Sequence, residues 1–332
     1  MRRRRRYRII IILILCLIIL QVIFIALLVM FHRQSTVQDS STYTEEEMYA
    51  LVEEAREDER DDFLTEFRTA IENGQTIMSY IKEMYPDYLV VTSMGGYHWV
   101  EIDKSLAQND YTSDNLVIDD MTGEYSYSQD GFQAQKGIDV SSHQGDIDWE
   151  AVASDGIEFA FVRAIYRGYE SGKLVEDERC VENLQEANAA GISTGVYVFS
   201  QAITVEEAYE EADAALKVLR EAPISLPVVY DVERVTSANA RMNFLTVDER
   251  TDMALAFIDR IQSAGYDVMI YHNTEVGALF LDLSRLEGVD KWFAAYNNDL
   301  YWPYAYKVWQ YSENGTVSGI DGKVDMDLWL VN

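Results

Sequence analysis

The chain has 332 residues, 48% of them hydrophobic and 25% charged, with 27 basic and 57 acidic side chains and a net charge of −30. That length and apolar content exclude a disordered chain and leave room for a full-sized core with one smaller module beside it. The excess of acid argues against nucleic acid as a partner, because phosphates would be repelled.

Residues 1–8, MRRRRRYR, form a basic tail, and residues 9–31, IIIILILCLIILQVIFIALLVMF, carry no charge and only Gln21 as a polar interruption. A helix of that length rises roughly 34 Å, enough for a bilayer core of about 30 Å, so the segment predicts a transmembrane anchor with the lipid bilayer as its partner. The following HRQSTVQDSS has no small-x-small cleavage site, so the anchor is expected to stay attached. Six arginines precede the span and Arg33 follows it, which predicts a cytoplasmic N-terminus and an extracytoplasmic remainder at the cell membrane. Cys16 lies in the span and Cys180 far beyond it, so no intrachain disulfide is expected and the exported part relies on its core.

Residues 32–135 read as a stalk and small adaptor. From 44 to 84, apolar residues recur at intervals of three and four, as in Phe63, Phe67 and Ile71, predicting amphipathic helix around an acidic middle. Strand-like runs at 88–92 and 97–102 then flank a Gly-Gly turn.

From residue 136 to 332 apolar strands alternate with helices. Strands are predicted at 136–140, 159–165, 193–199, 226–232, 267–272, 291–296, 306–311 and 324–330, and helices at 177–191, 204–222 and 246–265. This repetition implies an α/β fold with parallel strands, and eight of them suggest a closed, TIM-like barrel. It is expected to be irregular, since helices are missing from the later repeats. The first strand lacks the Gly-rich turn of a doubly wound sheet.

In parallel barrels the strands' C-terminal ends build the site. Those ends supply Asp139, Tyr197 and Phe199, Asp231 and Glu233, Tyr271, Trp292 and Tyr296, Trp309 and Gln310, and Asp325. Asp231 and Glu233, two apart on a strand, project to one face about 6.6 Å apart along it. Close carboxylates do not ionise together, so one keeps its proton while the other is charged, as protonation of a glycosidic leaving oxygen requires. A single acid at a strand end also serves as a helix cap, but four with a wall of aromatics point to chemistry on sugar rings. Phe161 and Phe293 read as core, and His143 and Arg163 stand near strand ends. With four histidines and no ligand-spaced pair, neither a metal nor another cofactor is expected.

The motifs GIDVSSHQGDIDW, GVYVF, PVVYDVE, IYHN, KWFAAY and VWQYSENGTVSGIDGKVDMDLW occur in the order seen in glycoside hydrolase family 25 lysozymes, the Chalaropsis type of muramidase, which residues 136–332 resemble. The resemblance implies hydrolysis of the β-1,4 bond between N-acetylmuramic acid and N-acetylglucosamine in peptidoglycan glycan strands. It implies Glu233 as general acid and Asp231 as its partner, with Asp139 and Asp325 completing an acidic floor; assistance by the substrate's 2-acetamido group is the expected route. The chain departs from the family in Val198, where His is common, and in Asp327, where Asn is common, so Asp327 competes with Asp325 for the family role. Two other classes stay open at this point: a catalytically silent wall-binding module on an anchor, and a metal-dependent hydrolase using the clustered carboxylates.

Overall fold

The computed structural model describes residues 20–28, 30, 43–111, 115–119, 123–129, 133–296 and 301–331. The basic tail and most of the predicted membrane span lie outside these residues. Residues 20–28 are helical and exposed, and no helix among the described residues is long and apolar enough to cross a membrane. The described residues group into two compact units, 1–81 and 82–332.

In the first unit, Thr44 begins helix α1 (Glu45–Glu72) with a reciprocal cap: its hydroxyl accepts from Glu47 N at 3.2 Å and its own N–H donates to the Glu47 carboxylate at 2.8 Å. No residue of α1 is buried. A second helix, α2 (Ile77–Met84), follows Gly74, whose φ of +93° ends the run, and Tyr80 packs edge-on to Phe67 at 5.1 Å.

The second unit begins with a hairpin of β1 (Tyr88–Ser93) and β2 (Gly96–Glu101), turned at Met94 and Gly95, both with positive φ. A small pair, β3 (Leu116–Ile118) and β4 (Tyr125–Tyr127), precedes the barrel. The barrel strands are β5 (Gln133–Val140), β6 (Phe159–Arg167), β8 (Ser193–Ser200), β9 (Val228–Val232), β10 (Val268–Asn273), β11 (Asp290–Ala294), β12 (Val308–Gly315) and β13 (Val324–Val331). They run in the order β5-β13-β12-β11-β10-β9-β8-β6, and β5 pairs with β6 to close the ring. β7 (Leu174–Glu176) adds only to the far end of β6.

All eight predicted strands form, but the last is not parallel: β13 runs antiparallel to both β12 and β5. The reason is the link. Residues 316–323 hold no helix and are too few to carry the chain back across the sheet, whereas a short connection suits a hairpin. The three predicted helices are α4 (Cys180–Ala189), α5 (Val205–Val218) and α6 (Val247–Ser263), with α5 and α6 capped by Thr204 and Thr246 as read from sequence. Two short helices, α3 (Trp149–Ser154) and α7 (Thr274–Leu279), lie beyond what periodicity can detect in six residues.

Strand alternation divides the barrel side chains into two cores. Outward residues such as Val196, Tyr230 and Ile270 pack under the helices, while Phe159, Phe161, Val229, Met269, Trp292 and Val308 fill the interior. Glycines make room for the interior rings: a Cβ on Gly137 would lie 2.1 Å from the Phe159 ring, and one on Gly195 2.5 Å from Phe161. The interior is thus a plug of aromatic rings, and only the mouth above it is free for chemistry.

Candidate active site

The carboxylates meet on top of this plug. Asp139 on β5 stands directly across the ladder from Asp325 on β13, and Asp231 on β9 is in register with Phe199 on β8 and Tyr271 on β10. Glu233 follows the end of β9 and lies close enough to Asp231 for its charge to act on it. Asp139 and Asp231 are 6% and 4% exposed, while Glu233 and Asp325 are half-buried nearer the opening. Gln310 joins the walls: its Nε2 donates to Asp139 Oδ2 at 2.7 Å, and its Oε1 accepts from Tyr271 at 2.8 Å and Tyr296 at 2.7 Å.

Burial pushes the pKa of all four acids up. Asp325 is raised to about 6 by burial and the nearby Glu313, although a hydrogen bond with Asp139 opposes the shift. Asp139 is held well above the usual carboxylate range by burial and then by the charges of Asp325 and Asp327. Burial and Glu233 raise Asp231, and Arg163 pulls it back down; burial and Asp325 raise Glu233, with no cation opposing. The two carboxyls are close enough to hold one proton between them, and Arg163 offsets part of the rise at Asp231. Asp231 Oδ1 has no hydrogen-bond partner among the described residues.

Arg163 is itself locked. Asp177, whose carboxylate is inaccessible, accepts from its Nε at 2.9 Å and lies 2.8 Å from Nη2 as an ion pair, and Tyr166 lies under the guanidinium at 5.0 Å. Asp177 is the residue that sequence reading misplaced: it sits in the predicted helix 177–191, yet the helix begins only at Cys180. No local pattern announces a contact made 14 residues away.

Two predicted sugar-binding residues lie away from the surface of the cleft. Trp309 faces outward, packs edge-on to Tyr125 and tilted against Tyr311, and donates to Ala295 O at 3.0 Å. Since Trp309 and Gln310 are consecutive in a strand, only one can point inward, and it is Gln310. Trp292 does point inward but is 1% exposed, lying 4.7 Å from Phe161 in the floor and donating from Nε1 to Asp327 Oδ1 at 2.8 Å. Tyr197, Phe199, Tyr271 and Tyr296 remain at the cleft, and Tyr296 is half exposed. Asp327 is fully buried one layer below Asp325, so Asp325 is the one that reaches the opening. Phe161 is core as expected, and so is Phe293, on the outer side.

A cavity of about 1070 Å³ lies at the other end of the barrel among Leu226, Lys291, Tyr306 and Trp329, and none of the cleft carboxylates lines it. Convergence of titrating groups, rather than volume, identifies the site. Among the described residues no group of three or more His, Cys, Asp or Glu is arranged to hold a metal ion.

Comparison with known proteins agrees with this geometry. The profile of Glycosyl hydrolases family 25 matches residues 138–320, which span β5 to the loop before β13. The chain belongs to glycosyl hydrolase family 25. A relative, the autolytic lysozyme of Clostridium acetobutylicum, is 27% identical over 197 residues, covering 58% of this chain and 55% of that protein. The modular autolysin LytC of Streptococcus pneumoniae superposes with a TM-score of 0.54 at 25% identity, covering 73% of this chain and 56% of that one. A family 25 glycosyl hydrolase of Bacillus anthracis gives a TM-score of 0.50 at 25% identity, covering 61% and 91%. The chain thus spans little more than half the length of the lysozyme and the autolysin it matches.

Proposed function

We propose that this protein is a peptidoglycan hydrolase, an N-acetylmuramidase that cleaves the β-1,4 bond between N-acetylmuramic acid and N-acetylglucosamine. The observation that carries the reading is the convergence of four raised carboxyls in one cleft, Glu233 beside Asp231 and Asp139 across the ladder from Asp325. Glu233 protonates the leaving glycosidic oxygen. Asp231 accepts the N–H of the substrate's 2-acetamido group, aiming the amide oxygen at the anomeric carbon and stabilising the positive charge that develops there. Asp139, tied by Gln310 to the tyrosine wall, and Asp325 opposite it hold the ring that carries this charge.

In this reading residues 136–332 are the catalytic barrel of a Chalaropsis-type muramidase and 32–135 its stalk and adaptor. Residues 9–31 anchor it in the cell membrane with residues 1–8 in the cytoplasm, supported by the uninterrupted apolar run and the arginines before it. The presence of all four acids favours an enzyme over a silent wall-binding module.

The test is release of reducing ends from purified peptidoglycan. Glu233→Gln is expected to lower kcat by about a thousandfold, the size of a lost general acid, with mass analysis finding N-acetylmuramic acid at the new reducing end. Equal release by wild type and variant would sink the assignment, and an inverted first-formed anomer would remove the acetamido route.

A further inference from the structure

The glycan strand must run on beyond the acidic cleft, and two loops at the barrel mouth are built to meet it. One is the turn 168–173 after β6; the other runs from Glu233 at the end of β9 to residue 246. They are tied into a single rim. Arg241 N donates to Tyr169 O at 2.9 Å, and Ser237 Oγ donates to Glu170 at 2.7 Å. The Arg241 side chain reaches Glu207 at 2.7 Å across Gly172, where a Cβ would lie 2.5 Å from Nη1 and where φ is +67°. Beneath them Arg167, 3% exposed, donates to Gly172 O at 2.9 Å and to the fully buried Glu211 at 2.7 Å.

This bracing leaves two rings in water. Tyr169 is 42% exposed and Phe244 76% exposed, although Met242, two residues before Phe244 in the same 3-10 turn (Arg241–Phe244), is buried at 1%. The turn therefore has its own apolar anchor, and Phe244 contributes nothing to the core. A fixed loop that begins at the proposed general acid and presents a phenylalanine to solvent is arranged for a ligand. We propose that Tyr169 and Phe244 form a distal glycan subsite, which receives a sugar ring of the same strand away from the scissile bond and favours long strands over short fragments. The C–H face of a pyranose fits such rings, and an uncharged contact suits a substrate approaching so acidic a protein. The proposal rests on the muramidase reading.

The experiment compares wild type with Phe244→Ala, Tyr169→Ala and Phe244→Tyr on long glycan strands and on a tetrasaccharide. Each alanine variant is expected to raise KM for long strands about fivefold, the effect of one exposed ring contact, with kcat and tetrasaccharide cleavage unchanged and Phe244→Tyr near wild type. Gly172→Ala, which displaces Arg241, is expected to reproduce the KM defect without removing a ring. Co-sedimentation of Glu233→Gln with insoluble peptidoglycan, with and without Phe244→Ala, reads the rim without cleavage. Unchanged KM, an equal change on the tetrasaccharide, or undiminished sedimentation overturns the subsite. A wild type that cleaves nothing, beside weakened sedimentation of the Phe244→Ala double variant, overturns the muramidase reading and leaves the rim standing.

Discussion

Asp325 and Asp327 are two residues apart on one strand and chemically alike, yet depth separates their behaviour. Asp325, near the opening, is raised to about 6, within reach of titration at working pH. Asp327, with no exposure, accepts one hydrogen bond from Trp292, has an Oδ2 without a partner among the described residues, and is held well above the usual range by burial. Trp292 is thus a structural donor. Trp292→Phe removes that donor from a buried acceptor and is expected to cost about 2 kcal/mol of stability, measured as a lower urea midpoint; an unchanged midpoint would show the bond to be dispensable. At this scale much of the site was legible, because Asp231, Glu233, Asp139, Tyr197 and Tyr271 follow from strand ends and alternation. Trp309 was misread because alternation says that one of two neighbours faces inward without saying which.

Among the elements, those with local signals formed where expected: Thr204 and Thr246 cap α5 and α6, and every barrel strand coincides with an apolar run. The direction of β13 was not legible, since an apolar run reads the same whichever way its neighbours point. Pairing with β5 on one side and β12 on the other decides it, and that pairing sets Asp325 opposite Asp139. The same closure depends on Gly137, beside which the Phe159 ring fills the space a side chain would take. Gly137→Ala is expected to destabilise by about 1–3 kcal/mol, as overpacking does, and to lower activity with it. A variant as stable as wild type by thermal unfolding would mean that Phe159 has somewhere else to go.

For the molecule as a whole, function requires that acids be buried without cations enough to satisfy them, and stability should record this. Glu211 is raised by burial to about 7, and Asp139, Asp231, Glu233, Asp325 and Asp327 are raised as well. Between their ordinary carboxylate values and these raised ones, the folded chain keeps protons that the unfolded chain has released. Unfolding then releases protons, and stability falls as pH rises through that window. His272, lowered by burial to about 4, acts in the opposite sense between its ordinary 6.5 and that value, but it is one group against six. The thermal midpoint is therefore expected to be higher at about pH 5 than at about pH 7.5. An equal or lower midpoint at the acidic pH would mean that the cleft acids are ionised in the folded state.

By itself the sequence determined that this chain builds a strand–helix barrel with acids at its strand ends, because period, caps and alternation are local properties of neighbouring residues. Tertiary structure alone decided how deep each acid lies, which of two adjacent side chains enters the barrel, that Asp177 locks Arg163, and that two distant loops make one rim. Those outcomes depend on desolvation and on contacts between residues far apart in the chain, and a pattern of nearest neighbours carries no record of either.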